Sequence, residues 1–171
     1  MDKKIGFTIG KFAPLHKGHE FLIETALNEM DEMYVVIYDT DKTNIDIKKR
    51  ASWINKLYPS VKVLYAYDSP KQYGLDEKSV KIQMNYLSNI IKDIPVTHFY
   101  SNEKYGEKVS EYLNIINRNV DITKNKIPVS GTVLRENLED NKKYLEDFIY
   151  KEIKINEEKK WALILKKFYL I

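Results

Sequence analysis

Short apolar runs of strand length alternate with longer stretches of helical periodicity along most of this chain, and that alternation restricts the fold more than any other feature. Ile5 to Ile9 is apolar and stops at Gly10; a helix follows from about Gly18 or His19 to Met30, with Phe21, Leu22, Ala26 and Leu27 on one face. Met33 to Tyr38 and Val61 to Tyr67 read as a second and third strand. Between them lie a polar loop over 39–46 and a helix from about Ile47 to Tyr58, which Pro59 ends. Asp76 to Lys92 is helical in pattern, Thr97 to Ser101 is a fourth strand, and Lys104 to Leu113 a further helix. Val120 and Ile122 are the candidates for a fifth strand, and Ser130 to Asn137 reads as a loop entering a helix. Strands joined through helices run parallel, because the crossover returns the chain to the same end of the sheet. The expected fold class is therefore α/β: an open, mainly parallel sheet with helices on both faces.

At 171 residues there is room for one such domain. Residues 1–150 carry the alternation, and 151–171 are expected to be a packing segment of the same domain. Within it Trp161, Ile164, Leu165 and Phe168 fit a helix face, although Trp161 to Leu165 is also strand-like; a dimer contact is the other reading of this segment. The chain has no cysteine, which removes disulfides, thiolate nucleophiles and cysteine-ligated metals. Its net charge of +3 is spread without long like-charge runs, so no nucleic-acid partner is expected. No apolar window approaches a membrane span, and Met1-Asp2-Lys3-Lys4 leads directly into the first strand, so a cytoplasmic protein is the expectation. Only Arg50, Arg118 and Arg135 are arginines in a lysine-rich chain, and each raises the question of whether a guanidinium fork is needed there.

The densest chemical feature is the stretch from Gly10 to His19, Gly-Lys-Phe-Ala-Pro-Leu-His-Lys-Gly-His, between the first strand and the first helix. In an open parallel sheet ligands bind beyond the carboxyl ends of the strands, and a helix start offers unpaired N–H groups to an anion. Gly10 and Gly18 permit close backbone approach or unusual dihedrals, Pro14 stiffens the turn, and His16 and His19 stand three residues apart at the helix start. The loop lacks Gly-x-x-x-x-Gly-Lys-Ser/Thr and Gly-x-Gly-x-x-Gly, which disfavours a P-loop kinase and a dinucleotide oxidoreductase. His98 is the only other histidine, so no zinc site is expected; lying within the fourth strand, it reads as a core residue. Arg118, with no motif around it, reads as a surface residue.

This loop resembles the first signature of the adenylyltransferase/cytidylyltransferase (nucleotidyltransferase) superfamily, a glycine loop followed by His-x-Gly-His. A second stretch, Val129-Ser130-Gly131-Thr132-Val133-Leu134-Arg135-Glu136-Asn137, resembles the superfamily's late Ser-x-Thr/Ser-x-x-Arg element. Together the two are most similar to nicotinamide mononucleotide (NMN) adenylyltransferases, in particular to the adenylyltransferase domain of the bifunctional bacterial NMN adenylyltransferase/ribosylnicotinamide kinases. Lys49-Arg50-Ala51-Ser52-Trp53-Ile54 and Tyr100-Ser101-Asn102-Glu103 resemble further segments of that group. The 171 residues hold no Walker sequence, so a kinase half is not expected here.

The resemblance implies a Rossmann-like fold of the nucleotidyltransferase type and a reaction. A mononucleotide phosphate attacks the α-phosphorus of ATP in line and releases pyrophosphate, so the partners are ATP and a phosphorylated small-molecule acceptor. It implies that His16 and His19 donate to the ATP phosphates, that Lys11 and Arg50 neutralise phosphate charge, and that Arg135 clamps the triphosphate. Gly10, Phe12, Gly18, Ser130, Gly131 and Thr132 are implied in nucleotide binding, and Asp39, Tyr73, Tyr86 and Asn102 are the candidates at the acceptor. The implied cofactor is Mg²⁺ carried by the ATP phosphates, with no dedicated protein metal site. The acceptor region departs from the relatives, which have tryptophans where this chain has Val80, Gln83, Met84 and Tyr86. A cytidylyltransferase, or an adenylyltransferase for another phosphorylated acceptor such as phosphopantetheine, is the enzymatic alternative; such enzymes typically carry Thr where Lys11 stands. A nucleotide-sensing module without turnover is the alternative from another class.

Overall fold

The computed structural model describes residues 2–71 and 76–169. Strands β1 (Ile5–Gly10), β2 (Glu32–Tyr38), β3 (Lys62–Ala66), β4 (His98–Ser101) and β5 (Ile116–Asn119) form a single parallel sheet in the order β3-β2-β1-β4-β5. Helices α1 (Lys17–Glu29), α2 (Ile47–Leu57), α3 (Glu77–Ile91) and α4 (Tyr105–Leu113) are the crossovers. Short helices α5 (Gly131–Glu136) and α6 (Leu138–Asn141), a 3-10 turn at Lys142–Tyr144 and the long α7 (Asp147–Tyr169) complete the chain.

The period of two along β2 distributes its side chains between two cores. Met33, Val35 and Ile37 face one side, where they meet Leu22 and Ile23 of α1, Ala51, Trp53 and Ile54 of α2, Leu134 of α5, and Ile149 and Ile153 of α7. Val36, with Phe7 and Phe99, faces the other side against Met84, Leu87 and Ile91 of α3 and Val109 of α4. Helices thus cover both faces, as the alternation implies. Several helix starts are capped by side chains: Asp46 accepts from Lys48 N–H at 2.7 Å and Asp76 from Ser79 N–H at 2.9 Å, the usual way to satisfy orphan donors of a first turn. Consecutive strands proceed outward from β1 to β3, and the chain then crosses to β4 on the other flank of β1. The β1–β4 junction is the topological switch point, where a crevice opens beyond the strand ends.

One sequence expectation needs correction, and one open choice is resolved. The fifth strand lies at Ile116–Asn119, not at Val120 and Ile122. β5 is an edge strand whose residues are exposed or half-buried, Ile116 being 58% exposed, so it carries no apolar signature. At the C-terminus, Trp161 to Leu165 is helical, part of α7. That helix packs through Ile149 and Ile153, and Trp53 Nε1 donates to Glu152 at 2.6 Å; further on, Ile155, Trp161 and Leu163 are exposed. The side chains of Leu165 and Phe168 lie outside the described residues. No helix among the described residues is long and apolar enough to cross a membrane.

Candidate functional site

At the switch point a cavity of about 600 Å³ is lined by the ends of β1 and β4, the loop after β1, the first turns of α1, α4 and α5, and Tyr86 and Gln83 of α3. It brings together Gly10, Lys11, Phe12, His16, Gly18, His19, Asn102, Ser130, Gly131, Thr132, Arg135 and Tyr86 from the sequence-predicted set. Two segments more than a hundred residues apart meet at one wall because Arg135 Nη1 donates to the Ala13 carbonyl at 2.6 Å, with Nη2 3.2 Å from Thr132 Oγ1.

The glycines act through space rather than dihedral freedom: no described glycine has a positive φ. A Cβ on Gly10 would stand 3.1 Å from the Phe12 ring, one on Gly18 3.1 Å from the His16 ring, and one on Gly131 3.0 Å from Arg135 Nη1. It is Phe12 that takes the left-handed conformation, at φ 48°, with its ring buried. Strain of this kind persists where the surroundings over-determine it. Here the Phe12 ring is wedged against Gly10 and against His19, whose ring centre is 4.7 Å away.

His16 and His19 stack with centroids 3.7 Å apart and planes 24° from parallel. His16 is the N-cap of α1, its Nδ1 accepting from Gly18 N–H at 3.1 Å, which leaves the proton of the neutral ring on Nε2. Burial, with the Lys124 charge adding to it, pushes the His16 pKa down to about 4. Burial also holds His19 well below its usual range, helped by His16 and Lys124, and His19 Nδ1 is buried without a partner. At neutral pH the pair is two uncharged imidazoles, able to donate to an anion without repelling one another. Lys11 is depressed by burial first and by Lys42 and Arg135 next, with Asp41 and Glu103 acting in the opposite sense.

The sign of the His16 effect on stability follows from its shift. Above pH 6.5 neither folded nor unfolded His16 binds a proton; below it the unfolded ring does, while the folded ring refuses until about pH 4. His16 therefore costs stability progressively as pH falls from 6.5 to about 4, by up to about 3 kcal/mol. His16→Gln is expected to flatten that acid limb in urea denaturation at pH 5 against pH 7. Glu20, whose pKa is raised by burial, works in the opposite sense and is unchanged by the substitution.

Several candidates sit elsewhere. Arg50 is fully buried and does not line the cavity: Nε donates to the Ile45 carbonyl at 3.0 Å and Nη1 to the carbonyls of Lys11 and of Tyr38, the latter at 3.0 Å. Asp39, half-exposed, lies 3.6 Å from Arg50 Nη2 and also outside the cavity. Asn102 lines the cavity, but its side chain links backbone: Oδ1 accepts from Asp121 N–H at 2.9 Å and Nδ2 lies 3.4 Å from the Gly18 carbonyl. The Ser130 hydroxyl caps α5, accepting from Val133 N–H at 3.3 Å. Tyr73 lies outside the described residues. His98 is at the opposite end of β4, its Nδ1 2.8 Å from Thr97 Oγ1, and Arg118 is an exposed partner of Glu29, with Nη2 to Oε1 at 2.8 Å. Missed by the sequence reading are Tyr38, Tyr105 and Lys124, all lining the cavity. Tyr38 is the last residue of β2 and Tyr105 opens α4, so strand order and helix placement bring them to the cavity.

The sequence matches the citrate lyase ligase C-terminal domain family over residues 6–121. It is 27% identical over 153 residues to the trifunctional NAD biosynthesis/regulator protein NadR of Salmonella typhimurium, covering 79% of this chain and 37% of NadR. To the phosphopantetheine adenylyltransferase of Lactococcus lactis it is 26% identical over 125 residues, covering 72% of this chain and 70% of that enzyme. Among solved structures, NadR in complex with NAD and AMP-PNP superposes with a TM-score of 0.60 at 22% identity, over 84% of this chain and 44% of that one. A bifunctional NMN adenylyltransferase/ADP ribose pyrophosphatase from Francisella tularensis superposes with a TM-score of 0.63 at 16% identity, over 99% of this chain and 57% of that one. The chain thus spans little more than a third of the NadR protein it matches, and the structural likenesses establish the nucleotidyltransferase type of Rossmann-like fold. With more than half of its length inside the family match, strand order and both signature loops included in one fold, the chain belongs to the citrate lyase ligase C-terminal domain family of nucleotidyltransferases.

Proposed function

We propose that this chain transfers the adenylyl group of ATP to a pyridine mononucleotide, NMN being the preferred acceptor, with release of pyrophosphate. The observation that carries the reading is the meeting of both motifs on one cavity wall, where the Arg135 fork, Lys11, the His16–His19 pair and the first turn of α1 converge. Phosphate oxygens are what such a donor set suits. The acceptor phosphate oxygen bonds to the α-phosphorus as the bond to the β-bridging oxygen breaks, and no enzyme atom is bonded to phosphorus on the way. Charge moves onto the leaving pyrophosphate, so donors fixed beforehand stabilise the transition state more than the ground state. His16 Nε2–H is one such donor, fixed by its own cap to Gly18. Mg²⁺ would ride on the phosphates: the wall here offers ammonium, guanidinium and N–H groups, which suit the anion and not a cation.

The other end of the cavity supports the acceptor. Tyr38, Tyr86 and Tyr105 pack with the α3–α4 core, across the sheet from the core behind Phe12, Leu15 and Leu134. Burial raises the pKa of each, Tyr105 to about 12, so the three phenols stay neutral, and Tyr105 O–H donates to Gln83 Oε1 at 2.7 Å. A flat ring bearing a neutral amide suits such a wall; a carboxylate would lose hydration there without gaining a counter-charge. With ATP and Mg²⁺, pyrophosphate release is expected with NMN, at kcat/KM at least about tenfold above nicotinate mononucleotide and with CTP a poor donor. Release with phosphopantetheine but with neither pyridine nucleotide would overturn the acceptor assignment, and preference for CTP would overturn the donor.

A further inference from the structure

We infer that Lys124, on the loop between β5 and α5, is a further catalytic residue of this cavity, a cation that contacts the bound triphosphate opposite His16 and His19. The inference rests on the nucleotidyl-transfer reading and adds to it a residue outside both signature motifs. Lys124 lines the cavity, and its backbone is in the left-handed region at φ 54°. That conformation is unfavourable for a residue with a long side chain and is retained where neighbouring bonds impose it. Here the imposing group is Asp121. Its carbonyl accepts from Lys124 N–H at 3.0 Å, and its buried carboxylate accepts from Asn125 N–H at 3.1 Å, from Lys126 N–H at 3.2 Å and from Ile127 N–H at 2.9 Å.

The loop so folded is fixed to the rest of the site. Asn102 at the end of β4 accepts from Asp121 N–H and reaches the Gly18 carbonyl in the first turn of α1, so one side chain sets the distance between the Lys124 loop and the histidine helix. Orientation within the loop is selective. Lys126, two residues on, lies over the Phe21 ring at 5.0 Å, and Lys17 is held by Glu20 and Glu146, whereas Lys124 lines the cavity. Its charge adds to the burial that holds both imidazoles neutral. An ammonium on a positioned loop adds a third direction of charge to those of Lys11 and Arg135, and the leaving pyrophosphate is the part of the reactants whose charge grows.

The test compares Lys124→Ala, Lys124→Arg and Lys126→Ala in the intact chain, measuring ATP binding by calorimetry, kcat and KM with ATP and NMN, the pH profile of kcat/KM and Tm. Lys124→Ala is expected to lower kcat/KM about thirtyfold and to weaken ATP binding with Tm unchanged, Lys124→Arg to recover most of the loss, and Lys126→Ala to resemble the parent. Loss of the cation also raises the pKa of His16 and His19, so the acid limb of the profile should move to higher pH. A structural role for the loop would lower Tm, which the catalytic role leaves unchanged. Equal ATP binding and equal kcat/KM for Lys124→Ala and the parent would overturn the inference alone. Failure of the parent protein to bind ATP would overturn the nucleotidyl-transfer reading and this inference with it.

Discussion

Replacing His19 by alanine is expected to lower turnover about a hundredfold to a thousandfold while the protein stays folded. The magnitude is that of one pre-positioned donor lost from a site where charge develops on a leaving group. His19 is well placed for such a role: stacked on His16 at 3.7 Å, braced by Phe12 at 4.7 Å, and held neutral by burial. Its Nδ1 is buried with no partner, a cost to the folded chain that a structural histidine would avoid by bonding to its surroundings. Removing the ring forfeits two ring contacts, worth about 1 kcal/mol each, so Tm should fall by only a few degrees. A variant with near-parental kcat would show that the stacked pair is packing, and the donor role would have to pass to Lys11 and Arg135.

Arg50→Ala is expected to act on the fold first, lowering stability by about 3 kcal/mol and Tm by roughly 6–12 °C. The guanidinium is fully buried and bonded to three carbonyls from three segments: Ile45 before α2, Tyr38 at the end of β2 and Lys11 in the first loop. Alanine leaves all three acceptors without that donor and opens a void between them. Arg50→Lys should retain part of the stability, because a single ammonium cannot follow the fork. Because one of the three carbonyls belongs to Lys11, the loop that faces the triphosphate should loosen and KM for ATP should rise together with the fall in Tm. A rise in KM with Tm unchanged would instead assign Arg50 the direct phosphate contact that the family resemblance implies.

Arg50 also marks where the sequence stops being informative. Its singularity in a lysine-rich chain flags that a fork is needed, but a fork for carbonyls and a fork for phosphates are the same residue in the sequence. The two signature loops were legible because glycine, histidine and serine there interrupt apolar runs at spacings that few other structures require. The sheet was legible wherever strands are buried on both faces, as in β1 and β2, and misplaced at β5, where the edge strand Ile116–Asn119 is polar and the apolar Val120 and Ile122 belong to the loop beyond it. Tyr38, Tyr105 and Lys124 escaped notice for a common reason. Each enters the cavity through strand order, helix placement or a loop folded around a distant carboxylate, none of which has a local signature.

In the proposed reaction the bond broken in ATP is the one between the α- and β-phosphates. The direct measurement supplies NMN and Mg²⁺ with ATP labelled in parallel at the α- or the γ-phosphate, and separates the products. Adenylyl transfer puts the α-label into a dinucleotide and the γ-label into pyrophosphate, in equal amounts. Recovery of the γ-label as orthophosphate or on the acceptor, or of both labels as unreacted ATP, would contradict it.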